Sequence, residues 1–532
     1  MINEELAYEL LDVLQTTKEA VAQMKENYSQ GKRDEFHSLG KDLYESLLAI
    51  RDVAKREVGK DHKIRLADAC TCAIESLKDI LVLEKKNSNK VTWKLEYELA
   101  AIIETAMMQF YFWGIVNAHP EHRNAFFEFL KNTDVFGILQ KENITASFEY
   151  DLSIWVAGYN KLEYTKKCVE SILETIPQNI KYELILMNHG STDGTKEYFE
   201  SIEKVKVINV AVNGAVPGVV LKAFSRGKYG LWVSNDIVLG KRAIENLYRC
   251  VNENKEYGYV VPSTPAISNL QTIPADYDSI EEFEMFAKKN NVYDQKRHEE
   301  RVRLCNPIEI MPTVIRLQSS LDTYEEAICC KQVISFPDDK KSLWMRRNGY
   351  KCILAKDAYC HHFGSVTIKK DLGDQEKQNQ FYLEGRQSFL MRYGVDPWGT
   401  GFCYDPELFS EWKIPIIDNA SILGINCGLG SNSLKIKEVL KENGAKNVVL
   451  HNATQEGRYL SDLQGVSDEA FLFWDLRDMV AKTGQKKYNY IIIEEEILGN
   501  EGQNALEKVL NAGLQCDELV WRDANGEWHL VK

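Results

Sequence analysis

The chain has 532 residues, 44% of them hydrophobic and 27% charged, with a formal net charge of −14. That length is too great for one core and suggests about three domains. An acidic balance with no long basic run argues against non-specific binding to nucleic acid or anionic membranes.

The N-terminal stretch MINEELAYELLDVLQ carries acids where a secretory signal needs bases. No uninterrupted apolar segment reaches the roughly 18 residues of a membrane span. The twelve cysteines are scattered and none forms a CxxC pair. Reduced thiols in a cytoplasm are therefore expected.

Residues 1–147 hold a single proline, Pro120, and apolar residues at helical spacing. Leu6, Leu10, Leu11 and Leu14 form one such stripe, and Ile74, Leu77, Ile80 and Leu81 another. These predict four or five amphipathic helices packed as a bundle, with breaks near Gly31, Gly59 and Asn87–Asn89. His119 and His122 flank Pro120 and read as helix-start residues rather than a metal pair. The aromatic run MMQFYFW (107–113) reads as core.

The texture then changes. LSIWVAGYN (152–160), ELILMNHG, KVKVINVA and YGLWVSND read as strands, with KLEYTKKCVESILETI and TKEYFESI as helices between them. Strand alternating with helix predicts a mostly parallel sheet covered on both faces. Ligands bind such sheets beyond the carboxyl ends of the strands. Three of these ends carry polar clusters: Gly158-Tyr159-Asn160, Asn188-His189-Gly190 and Ser234-Asn235-Asp236. Asp193, just past the second, can cap the next helix or accept from a ligand.

Asp236 closes an apolar strand and is followed by more apolar residues. A partly buried carboxylate is costly unless paired or metal-bound, so it is either a cap or a candidate ligand for a hard divalent cation. Asp338 and Asp339 precede an amphipathic helix. They read as helix-start acids, or as a pair in which one pKa is raised to suit a general base. His361 and His362 end the strand YKCILAKDAYCHH, as ligands or as structural histidines. Between about 260 and 330 the pattern is irregular, an ordered loop, a helix, then a charged stretch and a strand.

In order and spacing, VAGYNKLEYTKKCVESI, ILMNHGSTDGTKEYF, VNGAVPGVVLKAFSRGKYGLWVSNDIVL and FPDDKKSLWMRRNGYKCILAKDAYCHHFGS resemble the family 2 glycosyltransferases of the GT-A fold. The resemblance covers about 150–395 and implies a nucleotide-diphosphate sugar donor, UDP-sugar first, with Mn²⁺ or Mg²⁺. It implies a donor pocket of Gly158, Tyr159, Asn160, Asn188, His189, Asp193, Asn213, Ser234 and Asn235. It implies that Asp236 holds the metal with His361 or His362, and that Asp338 and Asp339 hold the catalytic base. One inverting displacement needs no covalent nucleophile.

The sequence also departs from that pattern. Asn188 replaces the usual first acid of the nucleoside pocket, and only one acid remains at the metal motif. Lys340-Lys341 follows the acidic pair and reads as solvated.

ILGINCGLGSNSLKIKEVLKENGAKNVVLHN resembles the first motif of Rossmann-type methyltransferases, with Gly424, Gly428 and Gly430 at a helix start. The next strand ends in His451-Asn452, where an acid for ribose hydroxyls is expected. Glu494–Glu496 end a later strand, YIIIEEEIL. S-adenosylmethionine is not expected to bind.

The expected architecture is a helical bundle (1–147), a GT-A type α/β domain (148–405) and a smaller Rossmann-like, methyltransferase-like α/β domain (406–532). The expected activity is metal-dependent, inverting sugar transfer to an acceptor hydroxyl, such as Ser/Thr of a bacterial protein like flagellin. A surface or cell-wall polysaccharide is the alternative acceptor. A bifunctional glycosyl- and methyltransferase and a non-catalytic sugar-nucleotide-binding scaffold are the rival classes.

Overall fold

Leu10, Leu14, Leu43, Leu47, Leu77 and Ile80 come from successive helices and are buried together. The computed structural model describes residues 3–58, 66–86, 90–95, 99–110, 148–210, 225–305, 307–316, 336–364, 393–484, 486–494, 512–523 and 525–531, with a few single residues between 319 and 390. Asn213, His119, His122 and the end of the 107–113 run fall outside the described residues.

The first unit is helical: α1 (Glu4–Ser29), α2 (Arg33–Val53), α3 (Leu66–Lys85), α4 (Lys90–Lys94) and α5 (Ala100–Phe110). The Asn3 side chain caps α1 by accepting from Leu6 N at 3.3 Å. Gly31, at φ +73°, turns the chain from α1 into α2. Helix α1 packs on α2 and α5, and α3 packs on the same two.

The second unit runs β1 (Tyr150–Gly158), α6 (Leu162–Thr175), β2 (Tyr182–His189), α7 (Thr195–Glu200), β3 (Lys206–Val210), β4 (Gly227–Ser234), β5 (Ile237–Leu239), α8 (Ala243–Glu253), β6 (Tyr257–Ser263), α9 (Ile280–Asn290), β7 (His298–Glu300), β8 (Ile308–Pro312), α10 (Pro337–Arg347) and β9 (Lys351–His362). The sheet order is β3-β2-β1-β4-β8-β6-β9-β5, with β7 paired to β9. Strands β3, β2, β1 and β4 are mutually parallel. Strand β8 runs antiparallel to β4 and to β6, so the sheet is mixed. Its apolar runs are buried in one core, Ile154, Val156, Leu184, Leu186, Leu231 and Val233 against Cys168 and Ile172 of α6. Parallel register places Gly158 beside Asn188 and Ala157 beside Ser234. Three polar strand ends therefore share one edge.

The third unit holds α11 (Pro406–Glu411), β10 (Ser421–Ile425), α12 (Ser431–Glu442), β11 (Val449–Thr454), α13 (Leu460–Val466), β12 (Glu469–Leu472), α14 (Leu476–Thr483), β13 (Lys487–Ile493), β14 (Gln515–Arg522) and β15 (Trp528–Val531). The order is β12-β11-β10-β13-β14-β15. All pairs are parallel except β14 with β15.

The two α/β units share a core. Phe336, Leu343, Phe389 and Val395 cluster with Leu408, Trp412, Ile422, Leu434 and Leu463. Buried Asp462 of α13 takes Arg346 at 2.6 Å and Arg347 at 2.8 Å from α10. Lys435 of α12 reaches Glu299 of β7 at 2.6 Å. A boundary at 405/406 thus cuts through a continuous apolar cluster. Among the described residues no helix is long and apolar enough to cross a membrane.

Candidate active site

At the ends of β1 and β2 the polar side chains bond mainly to one another. Asn188 Nδ2 donates to Asn209 Oδ1 at 3.1 Å, and its Oδ1 accepts from Ser191 N at 3.0 Å. Asn160 Oδ1 accepts from Thr192 N at 2.9 Å. Asp193 accepts from Leu162 N at 2.9 Å and from Thr195 Oγ1 at 2.6 Å, joining the starts of α6 and α7. Its slight burial works to raise the pKa, but the bonds from Thr195 and Leu162 outweigh this and hold the carboxyl below its usual range. Asn160 and Lys161 adopt positive φ, 53° and 62°, to make the bend. A Cβ at Gly158 would come 3.2 Å from the Phe199 ring, so the bare glycine lets α7 sit close to the strand end. His189 is buried, and Tyr159 half-buried. The turn is therefore preorganised, with Asn188 and Asp193 shaping its wall.

At the end of β4, Ser234 N donates to Pro307 O at 2.9 Å. Asn235 Nδ2 donates to Thr165 Oγ1 at 2.9 Å, tying the strand end to α6. Asp236 points the other way. Its Oδ2 lies 3.3 Å from His362 Nε2. His362 Nδ1 lies 2.6 Å from Ala266 O. A carbonyl only accepts, so Nδ1 carries the proton there. Nε2 then meets the carboxylate either as part of an imidazolium or with a lone pair, and the lone-pair form needs a cation between the two acceptors. A carboxylate oxygen and an imidazole nitrogen fit a divalent transition ion.

Adjacent residues of a strand face opposite ways, and the two histidines divide accordingly. His361 Nδ1 lies 2.8 Å from Tyr277 Oη, and its ring packs against Phe283 and Phe363. Burial, with His362 and Lys167 nearby, holds its pKa below the ordinary value. The structure brings His362 to Asp236 and turns His361 into an aromatic cluster.

The acidic pair divides too. Asp339 is buried and paired with Arg303. Burial pushes its carboxyl above the ordinary range, and the Arg303 guanidinium draws it back. Asp338 is half-buried in the first turn of α10, where the helix dipole favours a carboxylate. Lys341 is not solvated as expected, because its Nζ donates to buried Glu309 at 2.8 Å. The expectation failed because Glu309 lies on β8, thirty-two residues away in sequence.

Loop 264–271 joins the two corners. Ala266 supports His362, Ser268 Oγ lies 3.1 Å from Cys305 Sγ, and Asn269 Nδ2 donates to the Arg303 carbonyl at 2.5 Å. Arg303 and this loop had no motif to announce them. The one available signal was the charge within HEERVRLCN.

A third constellation has the order of a nucleophile relay. Cys250 Sγ lies 3.5 Å from His298 Nδ1, and His298 Nε2 lies 3.1 Å from Asp357 Oδ2. The His298 and Asp357 side chains are wholly buried, and burial pushes the Cys250 thiol well up. It is a structural pair sealed from substrate.

Polar residues at the carboxyl ends of parallel strands thus gather at one edge of the sheet, with a carboxylate–imidazole pair beside them. Residues 153–301 match the model of Glycosyl transferase family 2, and this segment is a family 2 glycosyltransferase domain. A poly(ribitol-phosphate) beta-glucosyltransferase of Bacillus spizizenii is 30% identical over 112 residues, 20% of this chain. The match spans only 18% of that relative's length. Two solved structures are similar at low TM-score. GalNAc-T7 with UDP, GalNAc and Mn²⁺ gives a TM-score of 0.32 at 10% identity, over 46% of this chain and 52% of that one. The mannosyltransferase PcManGT of Pyrobaculum calidifontis, in complex with GDP-Man and Mn²⁺, gives 0.31 at 13%, over 59% and 76%. Asp236 lies inside the family match, whereas Asp338, Asp339 and His362 lie beyond it.

Proposed function

We propose that this protein transfers a sugar from a nucleotide-diphosphate donor, UDP-linked first, to an acceptor hydroxyl with inversion. The observation that carries the reading is the Asp236–His362 pair at 3.3 Å, in which Asp236 lies just past the end of a strand within the family 2 segment. Those two residues would hold Mn²⁺ or Mg²⁺, which when bound offsets the negative charge that builds on the departing diphosphate. The preorganised turn of Gly158, Tyr159, Asn160, Asn188, His189 and Asp193 would receive the nucleoside, with Ser234 and Asn235 beside it. Asp338 takes the proton of the attacking hydroxyl, and Asp339, anchored by Arg303, fixes the helix that carries it.

For the acceptor we infer a hydroxyl on a polymer, either Ser/Thr of a bacterial protein such as flagellin or a surface polysaccharide. The similarity to the poly(ribitol-phosphate) beta-glucosyltransferase of Bacillus spizizenii favours the polysaccharide. We infer that the reaction runs in the cytoplasm, on donor drawn from solution.

Purified protein incubated with UDP-, GDP- and TDP-sugars, with and without Mn²⁺ and beside Asp236→Ala, tests the reading. Metal-dependent release of one nucleotide, lost in the variant, supports it. No release and no nucleotide binding would leave a non-catalytic scaffold.

A further inference from the structure

The glycine-rich turn after β10, Cys427-Gly428-Leu429-Gly430, faces a segment of its own chain. Leu429 N donates to Thr400 O at 2.9 Å, and Ser431 N donates to Gly401 O at 3.1 Å. These N–H groups open the twelve-residue helix α12. Unsatisfied amides at such a place are what a cofactor phosphate would take. Here two peptide carbonyls take them.

The approach is close from both sides. A Cβ at Gly401 would lie 2.1 Å from Cys427 O, and one at Gly428 would lie 2.1 Å from Thr400 O. Both glycines hold positive φ, +72° and +53°. The neighbouring side chains are committed as well. Strand β11 runs on to Thr454, past the end expected at His451-Asn452, and Asn452 within it accepts from Ser433 Oγ at 2.9 Å and donates to Ser467 Oγ at 2.8 Å. Asn432 accepts from Asp405 N at 2.8 Å and donates to Glu494.

We propose that this glycine-rich loop is an intramolecular docking site, occupied by the Thr400–Gly401 peptide in place of a nucleotide cofactor, and that it straps the C-terminal unit onto the glycosyltransferase domain. Past the docked peptide, the chain carries Phe402 and Tyr404 to that domain. The Tyr404 ring centre lies 4.6 Å from the Arg301 guanidinium carbon and 4.6 Å from Lys435 Nζ. Phe402 lies 5.9 Å from the guanidinium carbon of Arg303, the partner of Asp339. The docking stands on these bonds alone, while its effect on turnover, through Arg303 and Asp339, rests on the sugar-transfer reading.

Hydrogen exchange on the full chain tests the docking. In Gly401→Ala, exchange across 427–433 rises by at least about tenfold, while β10 and β13 keep their protection. Unchanged exchange overturns the proposal. Should Gly401→Ala fail to fold, Gly428→Ala makes the same clash from the other side. Titration of the wild-type chain with S-adenosylmethionine and with NAD needs no variant. No saturable heat is expected, and one-to-one binding of either overturns the proposal. Where wild-type protein releases nucleotide from a donor sugar, Gly401→Ala lowers kcat with donor KM held. A wild-type chain that releases none removes the sugar-transfer reading, and the exchange result still decides the docking.

Discussion

Asp236 and His362 meet 3.3 Å apart, and the Ala266 carbonyl behind His362 fixes which ring nitrogen faces the carboxylate. A carbonyl that orients an imidazole in this way raises its value as a ligand. His362→Ala is therefore expected to weaken Mn²⁺ binding by at least about tenfold, a loss of about 1.4 kcal/mol. His361→Phe, among aromatic rings, should change it by less than about threefold, within the scatter of such comparisons. Calorimetric Mn²⁺ titration of both variants checks this. Equal losses would show that the two histidines do not divide as the strand predicts.

The acidic pair separates chemistry from stability. Asp338→Asn should lower kcat for transfer by about 10²–10⁴-fold, the usual weight of a general base, with donor KM and Tm held. Asp339→Asn leaves the Arg303 guanidinium opposite a neutral amide, and breaking a buried pair costs about 3–5 kcal/mol. Transfer assays and urea unfolding on the two variants tell them apart. Full kcat in Asp338→Asn would end its assignment as the base.

Much of this was legible in the residues because the cues were local. Apolar runs announced β1, β2 and β4, and parallel register then brought their polar ends together. Asp236 stood out as a carboxylate at the end of an apolar run. What stayed hidden depends on partners distant in sequence. His298, Glu299, Glu300 and Arg301 read only as a charged stretch and are all buried. Their partners Lys435 and Glu438 lie more than 130 residues on, in α12. Lys341 was misread for the same reason. Asn188 and Asp193 were legible as a turn, but not the extent to which they bond within it.

The junction of the two α/β units depends on Asp462. It is wholly buried and takes both Arg346 and Arg347. Asp462→Ala should cost about 3–5 kcal/mol, since two guanidinium groups lose their counter-charge. Urea denaturation followed by tryptophan fluorescence measures this. A loss below about 1 kcal/mol would place the pair among surface bridges that contribute little.

Glu300 makes the same junction sensitive to pH. Burial, then the nearby Glu438 carboxylate, raises its pKa from 4.5 to about 7, against the pull of Lys351, Lys441 and Lys437. A carboxyl with a raised folded-state pKa binds more protons folded than unfolded between the two values. Its contribution is thus complete below about pH 4.5 and is lost as pH rises through about 7. The neighbouring Glu299 works in the opposite sense. Its pKa is lowered to about 2, because Arg301, Lys435 and Lys356 outweigh its burial, so its contribution is full above 4.5 and lost only in strong acid. Between pH 5 and 8 Glu300 therefore contributes a Tm that falls with rising pH, while His361 and His451, both held below the ordinary imidazole value by burial, contribute in the opposite sense. Glu300→Gln keeps the hydrogen-bonding shape without the charge, and is expected to remove the Glu300 contribution and raise Tm at pH 8. Calorimetric melting of both proteins from pH 5 to 8 checks it, and parallel Tm curves would show that Glu300 does not govern this range.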